Sequence, residues 1–239
     1  MKRLLATIRT DLRLQLRNGF YIAAAFVVVV LVILMRQLPE ASRSLGLPML
    51  IFGNLLINGF FFMAGLVLLE KGEGTLEAQV VTPLRTGEYL ASKVIALTLL
   101  SLVESALMVL LTVGSSVSWP ALLAGVVLMT PLLALAGFLL VSRYDTLNEF
   151  MFPAVGAVAV LSLPLLPALG LFGDVLDGAW VYVMPVEPSW LLLQAAVAPV
   201  EPWQAIYALL AGVLWVGIGF MLAQRAFYRF VIMKQGARA

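Results

Sequence analysis

Apolar residues gather in six long blocks separated by short polar breaks. The blocks run about Phe20 to Met35, Met49 to Leu69, Tyr89 to Val113, Pro120 to Val141, Phe150 to Phe172 and Trp203 to Phe227. A helix rises 1.5 Å per residue, so roughly 20 residues cross a hydrocarbon core of about 30 Å. The pattern predicts an all-α membrane protein with six transmembrane helices, filling residues 1–239 as one transmembrane domain. Arg36 closes the first block, Glu70-Lys71 the second and Arg143 the fourth. Pro164 and Pro167 are expected to bend or break the end of the fifth span.

Three stretches outside the blocks carry structure of their own. Residues 1–18 form an amphipathic N-terminal helix: Leu5, Ile8, Leu12 and Leu16 share one face, and Arg9, Arg13 and Arg17 line the next. It serves either as a plain basic anchor or as an elbow helix lying in the lipid interface, cations on headgroups. Between spans two and three, residues 70–87 read as breaker, cap, short helix and stop. Gly72 and Gly74 break the preceding helix, Thr75 caps a new one, and Thr82 before Pro83 ends it. Leu76 and Val80 share one face of that short helix, Glu73 and Glu77 another; the bland alternative is an ordinary loop. Residues 173–202 are punctuated by Pro185, Pro188, Pro199 and Pro202. They are expected to hold short broken helices, re-entrant or interfacial, before span six. Trp180, Tyr182, Trp190 and Trp203 are expected at headgroup level.

Composition agrees with the block pattern: 62% of residues are hydrophobic and 12% charged, where a soluble domain carries about 25%. Charge then orients the spans. Thirteen of the fifteen Lys and Arg residues fall at the N-terminus, between spans two and three, after span four and at the C-terminus. Only Arg36 and Arg43 fall on the opposite side. Both termini are therefore expected in the cytoplasm of a multi-pass cell (inner or plasma) membrane protein.

The chain has no Cys and no His. Zinc sites, metalloprotease spacings and His-dependent triads are thereby excluded. No Gly-Lys dipeptide exists, so a Walker A phosphate cradle is absent. A carboxylate-only intramembrane enzyme would want two acids within the spans, and only Glu104 lies there. An acid at mid-span is costly and should face the bundle interior. Ser101 and Ser105 flank it, and Asn54 and Asn58 lie four apart on span two. Two readings stand: an interhelical hydrogen bond that fixes packing, or a polar lining of a substrate path formed by Glu104, Asn54, Asn58 and Ser101.

The run from Glu70 to Lys93, EKGEGTLEAQVVTPLRTGEYLASK, resembles the signature of type 2 ATP-binding-cassette (ABC) export permeases. Its steps are Gly74 to Glu77, Thr82 to Leu84 and Tyr89 to Lys93. The resemblance extends over nearly the whole chain and, in the wording around Asn58 to Ala78, to fluoroquinolone-type drug export permeases. It implies a non-enzymatic permease that pairs with a second copy or a similar subunit in the bilayer. It implies further that each copy docks a separate ATPase subunit through the coupling helix. The docking residues expected are Glu73, Gly74, Thr75, Leu76, Glu77, Val80, Thr82 and Pro83. ATP and Mg would sit on that partner, with no cofactor on this chain and no nucleic acid involved. The alternative class is a non-transporting membrane scaffold or sensor.

Overall fold

The first turns alternate leucines with cations, and in the computed structural model they form helix α1, Lys2–Arg17. The structure describes residues 2–75, 85–170 and 179–229, and among these every regular element is helical. Gly19, at φ 76°, then turns the chain into α2, Phe20–Gln37. A left-handed backbone there suits glycine. Ala24, Val28, Val32 and Met35, spaced by three and four, are the buried residues of α2, with Phe20 and Leu31 packed beside them; Ile22, Phe26, Val29 and Ile33 are exposed. A helix apolar on both faces, one of them unpacked, is what a lipid-facing span requires.

The second span starts earlier than the hydropathy block. It is a rod of three pieces: α3, Glu40–Leu55, a π-helical turn over Leu56–Phe61, and α4, Phe62–Gly72. Helix α5 covers Thr86–Thr112 and α6 covers Trp119–Val141. Helix α6 carries no charged residue and is the axis of the bundle, packed against the π turn, α4 and α5. Small residues permit the closest approach: a Cβ on Gly137 would strike the Phe60 carbonyl oxygen, and one on Gly59 would meet Leu133 Cβ at 2.8 Å.

Helix α7, Leu147–Leu161, stops well short of the sequence expectation. Its last turn gives way to two short 3-10 turns, Leu163–Leu165 and Pro167–Leu169, bent by 40° from the helix. The prolines remove backbone donors and their rings clash with the preceding turn, so the fifth span is a broken one. Among the described residues, five helices are long and apolar enough to cross a membrane, or six when the bent pair counts as one span.

After a 3-10 turn at Ala179–Val183, helix α8, Glu187–Ala195, packs against α6, α3 and the last helix, α9, Pro202–Phe227. Trp190 corrects the sequence expectation. It is 2% exposed and stands edge-on to Phe52 at 6.2 Å, packed inside the bundle rather than presented to lipid headgroups as a belt residue. Trp180 and Trp203 are exposed, as belt residues would be. At Gly212 of α9 the Leu128 side chain of α6 fills the space a Cβ would take.

Candidate functional site

Two buried polar clusters interrupt the apolar bundle. The first lies where α1, α4 and α5 meet. Lys93 is fully buried, and its ammonium lies 3.0 Å from Asp11 Oδ1 and 2.5 Å from Glu70 Oε1. Asp11 and Glu70 are 4% and 3% exposed. Ser92 Oγ donates to Asp11 Oδ2 at 2.6 Å, and Tyr89 Oη donates to Glu70 Oε2 at 2.7 Å. Each carboxylate thus accepts from the cation on one oxygen and a hydroxyl on the other. Buried ions persist only when paired and hydrogen-bonded in this manner.

The cluster explains how α1 sits. Its inward face carries Asp11 and Gln15, both buried, while Leu5 and Leu16 of the expected apolar stripe point away from the protein. The helix therefore turns Asp11 and Gln15 to the bundle, with Leu14 against the core, and leaves Leu5 and Leu16 exposed.

Neighbouring contacts brace the same level. Lys71 Nζ donates to the carbonyl oxygens of Val141, Ser142 and Tyr144, the orphan acceptors at the end of α6, and lies 3.6 Å from Asp145. Arg17 lies 3.6 Å from Glu73 across an exposed surface, a contact worth little energetically. Gly74, at φ 69°, ends the turn after α4. The Thr75 hydroxyl donates back to the Glu70 carbonyl oxygen at 3.2 Å. Gly72 is the last residue of α4, so Gly74 alone is the breaker. Helix α5 starts after Arg85, whose backbone N–H donates to Glu88 Oε2 at 3.1 Å. Leu76, Glu77, Val80, Thr82 and Pro83 lie outside the described residues.

The second cluster lies in mid-span. Asn54 of α3, Asn58 of the π turn and Glu104 of α5 are brought together in the interior. Asn54 Nδ2 donates to Glu104 Oε2 at 2.8 Å, and Asn58 Nδ2 donates to the same oxygen. Ser101 is buried on the face of α5 that carries Glu104, but forms no hydrogen bond with these three. Glu104 Oε1, both amide oxygens and the hydroxyls of Ser101, Ser105 and Thr130 are buried with no hydrogen-bond partner. Single π turns recur at functional sites, because the wider turn redirects side chains.

Sequence reasoning assembled the mid-span trio and missed the ionic one. In the sequence Lys93 stands out only as the end of the Glu70 to Lys93 run, Glu70 as the close of a span, and Asp11 not at all. The available signal was Asp11 itself, the lone acid in a segment with five cations.

Comparison with known proteins places both clusters within one matched region. A sequence profile described as the "Fluoroquinolones export permease protein family" matches residues 2–235. Two fluoroquinolones export permease proteins of Mycobacterium tuberculosis, from strains CDC 1551 / Oshkosh and H37Rv, are each 32% identical over 238 residues. The matches cover 99% of this chain and 99% of each relative.

Proposed function

The chain belongs to the fluoroquinolones export permease protein family, and we propose that it is the membrane subunit of an ATP-driven exporter of amphipathic, drug-like or lipid-like compounds. In this reading both termini face the cytoplasm and a second copy, or a similar subunit, completes the permease in the cell membrane. A separate ATPase subunit binds and hydrolyses Mg-ATP. That subunit docks on the short segment between α4 and α5, through Glu73, Gly74, Thr75, Leu76, Glu77, Val80, Thr82 and Pro83.

The observation that supports coupling through this segment is the ionic cluster at its two ends. Glu70 lies three residues before Glu73, and Lys93 begins the third turn of α5. Their ion pair joins the last turns of one span to the start of the next, and Asp11 ties α1 to both. A push on residues 73–85 therefore meets a cross-linked base and moves three helices together. A loop hung between unconnected helix ends would absorb the push instead.

The cargo meets the permease at Glu104, Asn54, Asn58 and Ser101. Unpaired polar atoms inside a membrane are expensive, and polar residues there mark substrate pathways more often than soluble interiors would suggest.

The docking segment is tested by Glu77→Lys and Leu76→Asp in the full permease expressed with its ATPase. A like charge placed opposite a basic partner costs several kcal/mol. Both variants should remain in the membrane, lose ATPase recovery on affinity purification and lose transport. Asp174→Lys, an equal charge reversal in the segment before α8, should leave recovery unchanged. Full recovery and full transport in both docking variants would remove this segment from the mechanism.

A further inference from the structure

The mid-span cluster has more acceptors than donors, and the surplus has a definite chemistry. Glu104 contributes two oxygens; both amide donations fall on Oε2, leaving Oε1 without a partner. Asn54 Oδ1 and Asn58 Oδ1 are also unpartnered. Each amide oxygen shares a carbon with a nitrogen already bonded to Glu104, so the vacant acceptors all lie beside one carboxyl group. All three residues are buried, Glu104 at 4% exposure and the asparagines at 0%.

No cation answers the carboxylate. Among the described residues, no ion pair includes Glu104. The nearest Lys or Arg along α5 is Lys93, eleven residues away and roughly 16 Å along the axis, and it is held by Asp11 and Glu70. An acid ionised in lipid needs a counter-cation, and among the described residues no ion pair supplies one here.

From this surplus we infer that the cluster is a recognition site for a primary ammonium group on the exported amphiphile. A primary ammonium brings one positive charge for one carboxylate and three N–H donors for three vacant acceptors. A quaternary ammonium brings the charge without donors. A neutral amide or alcohol brings donors without the charge. The inference rests on the reading that Glu104, Asn54 and Asn58 line the cargo path. The Ser101 and Ser105 hydroxyls, also unpartnered on the same helix, border the site and can accept or donate to the remainder of the head group.

The test uses the full chain purified in lipid nanodiscs without ATPase. The probes are radiolabelled 2-(2-naphthyl)ethylamine, its N,N,N-trimethyl derivative and its N-acetyl derivative, with empty nanodiscs subtracted. The primary amine should bind at least about tenfold more tightly than either derivative, the scale of a charge-assisted hydrogen bond in a desolvated site. Glu104→Gln should erase that preference. Asn54→Leu keeps the charge and removes one acceptor, so it should weaken the primary amine several-fold and leave the trimethyl derivative unaffected. A benzophenone-bearing primary amine, photolysed and mapped by mass spectrometry, should label the peptides around residues 54–58 or 101–105.

Equal binding of all three probes, with label still on those peptides, would overturn the ammonium assignment and leave the cargo path standing. Label that maps elsewhere would overturn both. Displacement of the amine by sodium chloride at equal ionic strength with choline chloride would show a site for a small inorganic cation, and overturn the assignment too. Should Glu104→Gln fail to give a monodisperse protein, Glu104→Asp, which retains the charge, and Asn54→Leu decide the matter.

Discussion

Replacing Lys93 with Met removes the one cation that two buried carboxylates share. Met matches the length of the Lys stem, so the packing change is small and the electrostatic change dominates. Asp11 loses the donor at 3.0 Å and keeps only Ser92; Glu70 loses the donor at 2.5 Å and keeps only Tyr89. A hydrogen bond to a charged group contributes about 1.5–3 kcal/mol, so two lost give about 3–6 kcal/mol. Breaking a buried ion pair from one side costs about 3–5 kcal/mol by direct comparison. For a chain of this size that lowers the apparent melting midpoint by roughly 6–20 °C. Tryptophan fluorescence during heating in detergent micelles reads the midpoint. Asp11→Asn should cost far less, about 1 kcal/mol, because the Lys93–Glu70 pair survives it with balanced charge. The two substitutions should be strongly non-additive, since they touch one network. A Lys93→Met midpoint within 2 °C of the unaltered protein would refute the claim that this cluster holds α1 to the bundle.

Other outcomes follow from the same geometry. Burial pushes the Glu187 carboxyl up to about 7 from an ordinary 4.5. The folded state thus holds that proton while the unfolded chain releases it, and stability falls as pH rises from about 4.5 to about 7. Glu187→Gln should flatten the melting midpoint across that window, and an unchanged pH slope would count against the assignment. Gly137→Ala should lower stability by about 1–3 kcal/mol, because the added methyl strikes the Phe60 carbonyl, whereas Gly217→Ala meets nothing within 4 Å and should be neutral or stabilising by thermal melt. Reporter fusions at Ala239 and within residues 178–188 should place the former in the cytoplasm and the latter outside; an external C-terminus would contradict the charge-based orientation.

The spans were legible because the solvent dictates them. Only a helix satisfies its backbone in lipid, so an apolar run of 20 residues has one regular option. The broken fifth span was half legible: Pro164 and Pro167 announced a bend, but the helix already ends at Leu161. The ring of Pro164 clashes with the carbonyl four residues earlier, so the helix stops ahead of the proline itself. Trp190 was legible as an amphipathic residue but not as a buried one. Its amphipathic ring suits an interface in general, yet this one fills a gap beside Phe52 in the interior.

The two clusters show where local reading stops. Glu104 stood out because one acid in a long apolar run has to find partners, and Asn54 and Asn58 were the polar pair on a neighbouring span. Lys93 sits near the end of a span, where cations usually meet water or headgroups, so its sequence context gave no hint of burial. Its partner Asp11 is 82 residues away. Only the docking of α1 against α5 brings them together, and that contact leaves no periodic trace in either helix.

The central claim is that this chain moves drug-like cargo at the expense of ATP hydrolysed on a partner. The direct measurement is accumulation of a fluorescent fluoroquinolone in inside-out proteoliposomes holding the permease and the ATPase recovered with it. Accumulation should require both subunits and hydrolysable ATP, and Glu77→Lys should abolish it while the isolated ATPase still hydrolyses. Equal accumulation with a non-hydrolysable analogue, or with the permease alone, would contradict the account.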